Sequence, residues 1–501
     1  MHSTSQSGPS PSGSSPDVGG MTKAKVEEAL GKIDGVVGAE MEATGVPGVA
    51  VAVVYRDTTV FANGYGLRRL GSPEKVGVNT VFQIASMSKP VSSTAVAALV
   101  GKRKFGWDDP VRTYLPDLAF SDPYVTDQVT FADLYSHRSG LPGDTGNRLE
   151  EIGFSRDQIL QRFRYVPLNP FRATYSYSNF GMTAAGQAAA AADKTTFEDM
   201  MQQQLFGPAG MTSTSARHSD FVSRPDRASL HIRLDGKWQL GPERDPDAQA
   251  PAGGISSSVT DLAKWMRLQL SGGTLDGEPI VAKDALTETH TPHIVRAPLS
   301  APDAPAATYG LGWNINVDHL GYVRWAHSGA FSVGAATTTM LLPKASLGVV
   351  VLTNGAPIGA AEAMADNIVD DVVNGTPTRN WGKFWGDLFA QLFVPDPELA
   401  KPPANATPAG PTSAYVGAYS NPYYGTFDVR ADTQGQLTIT VGPKRLVFPM
   451  THWNASTFTY VESPETPDFR AALTFTLGSD GQAATLDVGG MPGVNILRRT
   501  G

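Results

Sequence analysis

The four residues Ser86-Met87-Ser88-Lys89 put two hydroxyls and one amine within a single turn of chain. Residues three apart on a helix share a face, and neighbours do not. Ser86 can therefore meet Lys89, while Ser88 points elsewhere. Pro90 lacks an N–H and fits best in a helix's first turn, which places Ser86 at the helix N-terminus. There the dipole and the free N–H groups favour developing negative charge. A serine hydroxyl becomes a useful nucleophile when a neighbouring base takes its proton. Lysine can be that base only when neutral, which requires burial or nearby positive charge. The apolar runs on either side of the segment, in "VFQIA" and "VSSTAVAALV", can supply the burial. Alone, S-x-x-K is equally a capping serine beside a surface lysine.

Two later stretches carry further groups. "YSYSNFGM" contains Tyr177-Ser178-Asn179, and "RWAHSGAF" contains His327-Ser328-Gly329. Singly, Tyr177 reads as a packing aromatic, Asn179 as a turn residue and His327 as a satisfied buried histidine. Two competing motifs are weaker. "AFSVG" at Ala330–Gly334 lacks the first glycine of a G-x-S-x-G elbow and follows directly on the H-S-G strand, not a strand–turn–helix. His290 and His293 in "HTPH" are three apart, but Pro292 disrupts a helical pair and no glutamate completes a zincin pattern. No metal and no cofactor are expected.

Taken together, in the order S-x-x-K, Y-x-N, H-x-G, the motifs resemble the serine hydrolases of the penicillin-recognising fold. These include class C β-lactamases, D,D-peptidases, D-aminopeptidases and family VIII esterases. The resemblance covers residues 21–374 and extends to "VPGVAVAVV", "FADLYSHRSGLPG", "PAGGISSSVTDLAKWM" and "YGLGWN". It implies Ser86 as the acylated nucleophile, with Lys89 and Tyr177 sharing the work of general base and acid. Asn179 resembles the residue that contacts the lysine and the substrate's acyl-side amide. His327, a further catalytic candidate, lies on the strand edging the cleft, and Ser328 and Gly329 beside it are the substrate-binding candidates. The resemblance also implies an oxyanion hole from the backbone N–H groups of Ser86 and Ala330, each such donor worth about 3–4 kcal/mol. A lysine stands at the position of His327 in β-lactamases and D,D-peptidases, where it helps hold the substrate carboxylate. A histidine near its ordinary pKa is mostly neutral at pH 7. H-x-G instead resembles the D-aminopeptidase, esterase and amide-forming acyltransferase branches. The expected activity is that of a serine acyl-transfer hydrolase acting on ester, amide, D-peptide or lactam bonds of a small molecule or peptide. The alternatives are an amide-forming acyltransferase or peptide cyclase with an amine acceptor, and a slow-turnover penicillin-binding sensor.

Such a site needs a large scaffold, and 501 residues suffice for two or more domains. A net charge of −8 argues against a nucleic-acid partner. The absence of cysteine excludes disulfides and thiolate chemistry. Residues 1–20 are rich in Ser, Gly and Pro, carry no apolar h-region and read as a disordered tail. No apolar run approaches the ~18 residues of a membrane span. As written, the chain is expected to be cytoplasmic, or exported if a leader has been removed. Its oligomeric state has no signature in the pattern.

Thr22 can cap a helix whose apolar face is Val26, Leu30, Ile33, Val37 and Met41. "GVPGVAVAVVY" reads as a buried strand. Residues 101–254 are loop-rich with helical pieces, and strands return near Tyr309. The expected fold class is α+β: an antiparallel β-lactamase-like sheet flanked by helices, with a helical insert. This catalytic domain is expected over residues 21–394. Its trailing helix, "TRNWGKFWGDLFAQLF", packs against the following domain. A Pro/Ala-rich linker at 395–412 precedes eight short alternating runs in 413–501, which fit a small antiparallel, lipocalin-like barrel.

Overall fold

The periodic apolar residues between Val26 and Met41 form two helices, Lys23–Leu30 (α1) and Ile33–Thr44 (α2), and not one. Gly31 caps the C-terminus of the first. The structure, a computed structural model, describes residues 22–299, 301, 304–392, 394–461 and 469–500. The tail expected at 1–20 lies outside the described residues.

The strand Gly48–Tyr55 (β1) is apolar on both faces, and all its residues are buried. Such a strand must be covered on both sides. It belongs to an eight-stranded antiparallel sheet with Thr58–Gly66 (β2), Ile294–Val295 (β3), Thr308–Tyr309 (β4), Asn314–Val317 (β5), Val323–Phe331 (β6), Ala335–Leu342 (β7) and Leu347–Thr353 (β8). The spatial order is β2-β1-β8-β7-β6-β5-β4-β3. The chain therefore leaves the sheet at one edge after β2 and returns at the other edge in β3. The excursion between holds the helices that matter for the site: Ser88–Gly101 (α3), Asn147–Glu151 (α4), Asn179–Ala192 (α5) and Val259–Leu270 (α6). Side chains alternate across a strand. Val49, Val51 and Val53 join the core beneath α2 and a later helix, Ala360–Asn374 (α7). Ala50, Ala52 and Val54 join the opposite core with residues of α3 and α6. The result is a helix–sheet–helix sandwich whose insert grows from one face.

The helix Trp381–Leu392 (α8) is seated on α7. The Trp381 indole donates to Asp370 at 2.7 Å, and the Trp385 indole donates to Asp366 at 2.8 Å. Two acid side chains one helical turn apart offer what the two indole N–H groups require. Apolar spacing alone could not reveal that preference, so the partner expected from sequence, the following domain, is not the one that holds it.

The described residues between 417 and 500 form a nine-stranded antiparallel barrel that is nearly closed. The strand beyond the eight expected is Thr451–Asn454, which one residue, Met450, separates from Leu446–Pro449. In the sequence the fourth alternating run ends at Met450 and "THW" reads as packing, so this strand was missed. The barrel meets the helical insert. Arg162 Nε donates to the Tyr423 carbonyl at 2.9 Å, and Arg148 donates to the Val488 carbonyl at 2.7 Å. Gly442 and Gly493 touch Ile152 and Pro167 so closely that a Cβ would lie 1.9 and 2.5 Å from them.

Candidate active site

Ser86 sits in a single 3₁₀ turn, Ala85–Met87, immediately before α3. A two-residue ribbon between Phe82–Gln83 and Ser256–Ser257 anchors the chain just upstream. Ala85 is buried at φ +46°, a left-handed conformation that costs an alanine energy and recurs at functional turns. Pro90 is accommodated in the first turn of α3. Ser88 is buried, and its Oγ accepts the Ile255 N–H at 3.0 Å. It is a structural acceptor and faces away from Lys89.

Lys89 is fully buried, and its Nζ has three partners: Ser86 Oγ at 2.9 Å, Asn179 Oδ1 at 2.8 Å and the Ala252 carbonyl at 2.9 Å. Burial without a carboxylate among these partners holds the amine well below the usual lysine range. A neutral amine has two N–H donors and one lone pair. The amide oxygen and the carbonyl can only accept, so they take the two donors. The lone pair is left facing the Ser86 hydroxyl.

Asn179 opens α5, whose N-cap is Ser178 with its Oγ accepting from the Gly181 N–H at 3.1 Å. Tyr177 precedes the cap. Its ring lies under the Lys89 amine at 4.5 Å. Burial pushes its phenol well above its ordinary pKa, so Tyr177 is protonated at neutral pH. S-x-x-K and Y-x-N are thus brought together around one amine.

His327 lies on β6 and is buried. Its Nδ1 is 2.7 Å from the Ser328 carbonyl, which can only accept, so that nitrogen carries the proton. Nε2 accepts from the Tyr309 hydroxyl at 3.0 Å. Burial lowers His327 to about 3. The imidazole is a neutral wall of the site, with both nitrogens engaged. Ser328 falls on the other face of β6, where its hydroxyl meets Thr338 Oγ1 at 3.1 Å. Burial raises the carboxyl of Glu362, on α7, to about 7. Gly329 returns to the Ser86 side. A Cβ there would lie 2.1 Å from the Ile84 carbonyl oxygen and 2.9 Å from the Ser86 nitrogen. Only glycine lets β6 approach the 3₁₀ turn. Ala330 follows and is exposed. The pairing of β5 with β6 stops at Ala326, so the edge of β6 from His327 onward has no strand against it.

Three groups in the site escaped sequence reasoning. His137 is buried at φ +60°, and its Nδ1 accepts the Ser178 N–H at 3.1 Å while its ring packs 4.6 Å from that of Tyr177. Tyr309 holds His327 as described. Arg296 is exposed beside β3, and its positive charge reaches Tyr175, Tyr309 and His327. His137 and Tyr309 lay inside stretches that carried the resemblance, "FADLYSHRSGLPG" and "YGLGWN", which was the available signal; Arg296 had none. Among the described residues no group of three His, Cys, Asp or Glu could hold a metal ion.

A 3₁₀-borne serine against a buried neutral lysine, under an antiparallel sheet edge, defines the class: the penicillin-recognising serine hydrolases. Residues 33–373 match the β-lactamase family, and the chain belongs to it. Residues 401–492 match a domain of unknown function, DUF3471. The unguisins hydrolase ungD of Aspergillus violaceofuscus is 25% identical over 433 residues, covering 79% of this chain and 76% of that protein. The octameric penicillin-binding protein homologue from Pyrococcus abyssi superposes with a TM-score of 0.60 at 19% identity, covering 93% of this chain and 99% of that one. EstCE1, a hydrolase with promiscuous acyltransferase activity, superposes at 0.60 with 17% identity over 70% of this chain and all of that one.

Proposed function

We propose that the protein is a serine acyl-transfer hydrolase that works through an acyl-enzyme on Ser86. The observation that carries this reading is the Lys89 amine, whose two acceptor-only partners leave its lone pair to the Ser86 hydroxyl. As Ser86 Oγ attacks the substrate carbonyl, its proton passes to Lys89 Nζ, and the carbonyl π electrons move onto the oxygen. The backbone N–H groups of Ser86 and Ala330 receive that oxyanion. Collapse expels the alcohol or amine, which takes a proton from the Tyr177 phenol; the Lys89 ammonium then reprotonates the Tyr177 phenolate. Water then attacks the ester by the same relay in reverse. A phenol that burial keeps protonated is not the base of the resting enzyme, and a depressed amine suits that role, which favours Lys89 as the base.

The neutral His327 supplies no fixed charge for a substrate carboxylate. Simple esters and amides are therefore better substrates than cephalosporins, and Arg296 is the cation available to acidic ones. The hydrolase activity of the unguisins relative supports water as acyl acceptor. Intact-protein mass spectrometry with a fluorophosphonate, peptide mapping and a short-chain aryl ester assay test the proposal. Label on Ser86 with steady ester turnover supports it. Label on Ser88 or Ser332 overturns the nucleophile, and a stoichiometric burst without turnover indicates a slow-turnover sensor.

A further inference from the structure

Asn179 uses its Oδ1 on Lys89, so its Nδ2 needs an acceptor elsewhere, and it finds Asn147 Oδ1 at 3.3 Å. Asn147 is the first residue of α4. The loop before it follows the Tyr177–Phe180 segment closely. A Cβ on Gly143 would lie 2.9 Å from the Tyr177 carbonyl oxygen, and one on Gly146 would lie 2.5 Å from the Phe180 ring. Gly146 has φ +86°, which glycine alone adopts without strain. Its buried N–H donates to the Tyr423 phenol at 2.9 Å, and Tyr423 belongs to the barrel. Thr145 Oγ1 meets the sulfur of Met491, and Arg148 donates to the Val488 carbonyl at 2.7 Å, so residues on both sides of Gly146 also touch the barrel. A buried N–H that loses its acceptor drives its segment to move until it finds another.

From this unbroken series of contacts we infer that the barrel is a positioning element for the reaction and that Tyr423 and Asn147 are its positioning residues. Tyr423 holds Gly146; the Gly146–Asn147 segment orients the Asn179 amide; and that amide keeps the Lys89 lone pair on Ser86. The inference rests on the reading of Lys89 as the base. If Asn147 no longer accepts from Nδ2, the Asn179 amide can turn and present Nδ2 to Lys89. The lone pair is then spent on an amide donor, and the Ser86 proton has no acceptor. A donor against the amine also disfavours its protonated form. The barrel would thus govern the acylation step without contributing a group that touches substrate.

The test uses the full-length protein and fluorophosphonate labelling of Ser86, in which the serine oxygen–phosphorus bond forms, fluoride leaves and the serine proton passes to Lys89. Labelling rates across probe concentration and pH give a maximal rate constant, an apparent affinity and an acid limb for wild type, Tyr423→Phe, Asn147→Leu and Asn147→Asp. Tyr423→Phe and Asn147→Leu are expected to lower the maximal rate about tenfold, the loss of one hydrogen bond's worth of alignment, with unchanged apparent affinity. The double variant should be no worse than Asn147→Leu alone, since both act on one relay. Asn147→Asp keeps the acceptor and should retain more rate than Leu. Its negative charge should move the acid limb to higher pH, while Leu moves it lower. A change only in the fraction of protein that labels, with rate constant and limb as in wild type, would show the barrel to be merely stabilising and overturn the inference. Lys89→Met separates the two layers. If it labels at the wild-type rate, the base reading fails and the relay with it. If it is inert while Tyr423→Phe and Asn147→Leu behave as wild type, the relay alone fails.

Discussion

Lys89 and Asp133 are both buried ionisable side chains in the region between β2 and β3, and their surroundings differ in one respect. Asp133 accepts from Arg138 Nε at 2.7 Å, from Arg172 Nη2 at 2.8 Å and from the Thr130 N–H at 3.1 Å. Two guanidiniums offset the cost of taking that carboxylate out of water. Lys89 meets a hydroxyl, an amide oxygen and a carbonyl, with no carboxylate among these partners. The same desolvation is therefore relieved in a different way, by loss of the proton. A buried charge with counterions becomes a fastening; a buried amine without one becomes a base.

The comparison breaks most completely at the nucleophile. Ser86→Ala should abolish fluorophosphonate labelling, because the lone pair of Lys89 then faces no hydroxyl. Ser88→Ala should keep labelling and lose about 1–3 kcal/mol of stability, because the buried Ile255 N–H is left unpaired. Chemical denaturation beside mass spectrometry separates the two outcomes.

Giving Lys89 a counterion should make it resemble Asp133. Asn179→Asp places a carboxylate 2.8 Å from the amine and favours the ammonium. In the wild type, labelling is lost as pH falls through the depressed pKa of Lys89. In the variant that limb should move upward by about 1–3 pH units. The pH–rate profile checks the direction. His327, lowered to about 3, stays neutral across this range, so the limb belongs to the amine.

The converse change removes the fastening. Asp133→Asn strips two guanidiniums of their carboxylate and should cost about 3 kcal/mol in urea unfolding. Below the unfolding transition, the Ser86 labelling rate should stay near wild type.

The smallest effect concerns the charge at the cleft mouth. Arg296→Ala should lower kcat/KM for carboxylate-bearing esters about three- to tenfold, the scale of one exposed charge contact, and leave neutral esters unchanged. Equal losses for both substrate types would assign Arg296 a structural role.

The buried strand β1 and the S-x-x-K pairing were legible because both rest on local periodicity. A run such as "VAVAVVY" demands cover on both faces, and a three-residue spacing puts Ser86 over Lys89 whatever surrounds them. Tyr177, Asn179 and His327 became legible only through family resemblance, since nothing local joins Ser86 to residues 91 to 241 positions away. The face on which Ser328 falls, the engagement of both His327 nitrogens and the seat of α8 on Asp366 and Asp370 were hidden. Each depends on which polar group meets which after the chain has folded, and sequence periodicity reports burial, not partners.

The sequence by itself determined that a serine and a lysine would share a helix face inside an apolar setting, beside a separate β-rich domain. Only the tertiary structure decided that the lysine is neutral and aimed. Proton affinity depends on how much water is excluded and on which acceptors occupy the other N–H groups, here Asn179 and Ala252. Those partners lie far apart in the chain, and folding alone brings them within 3 Å of Lys89 Nζ.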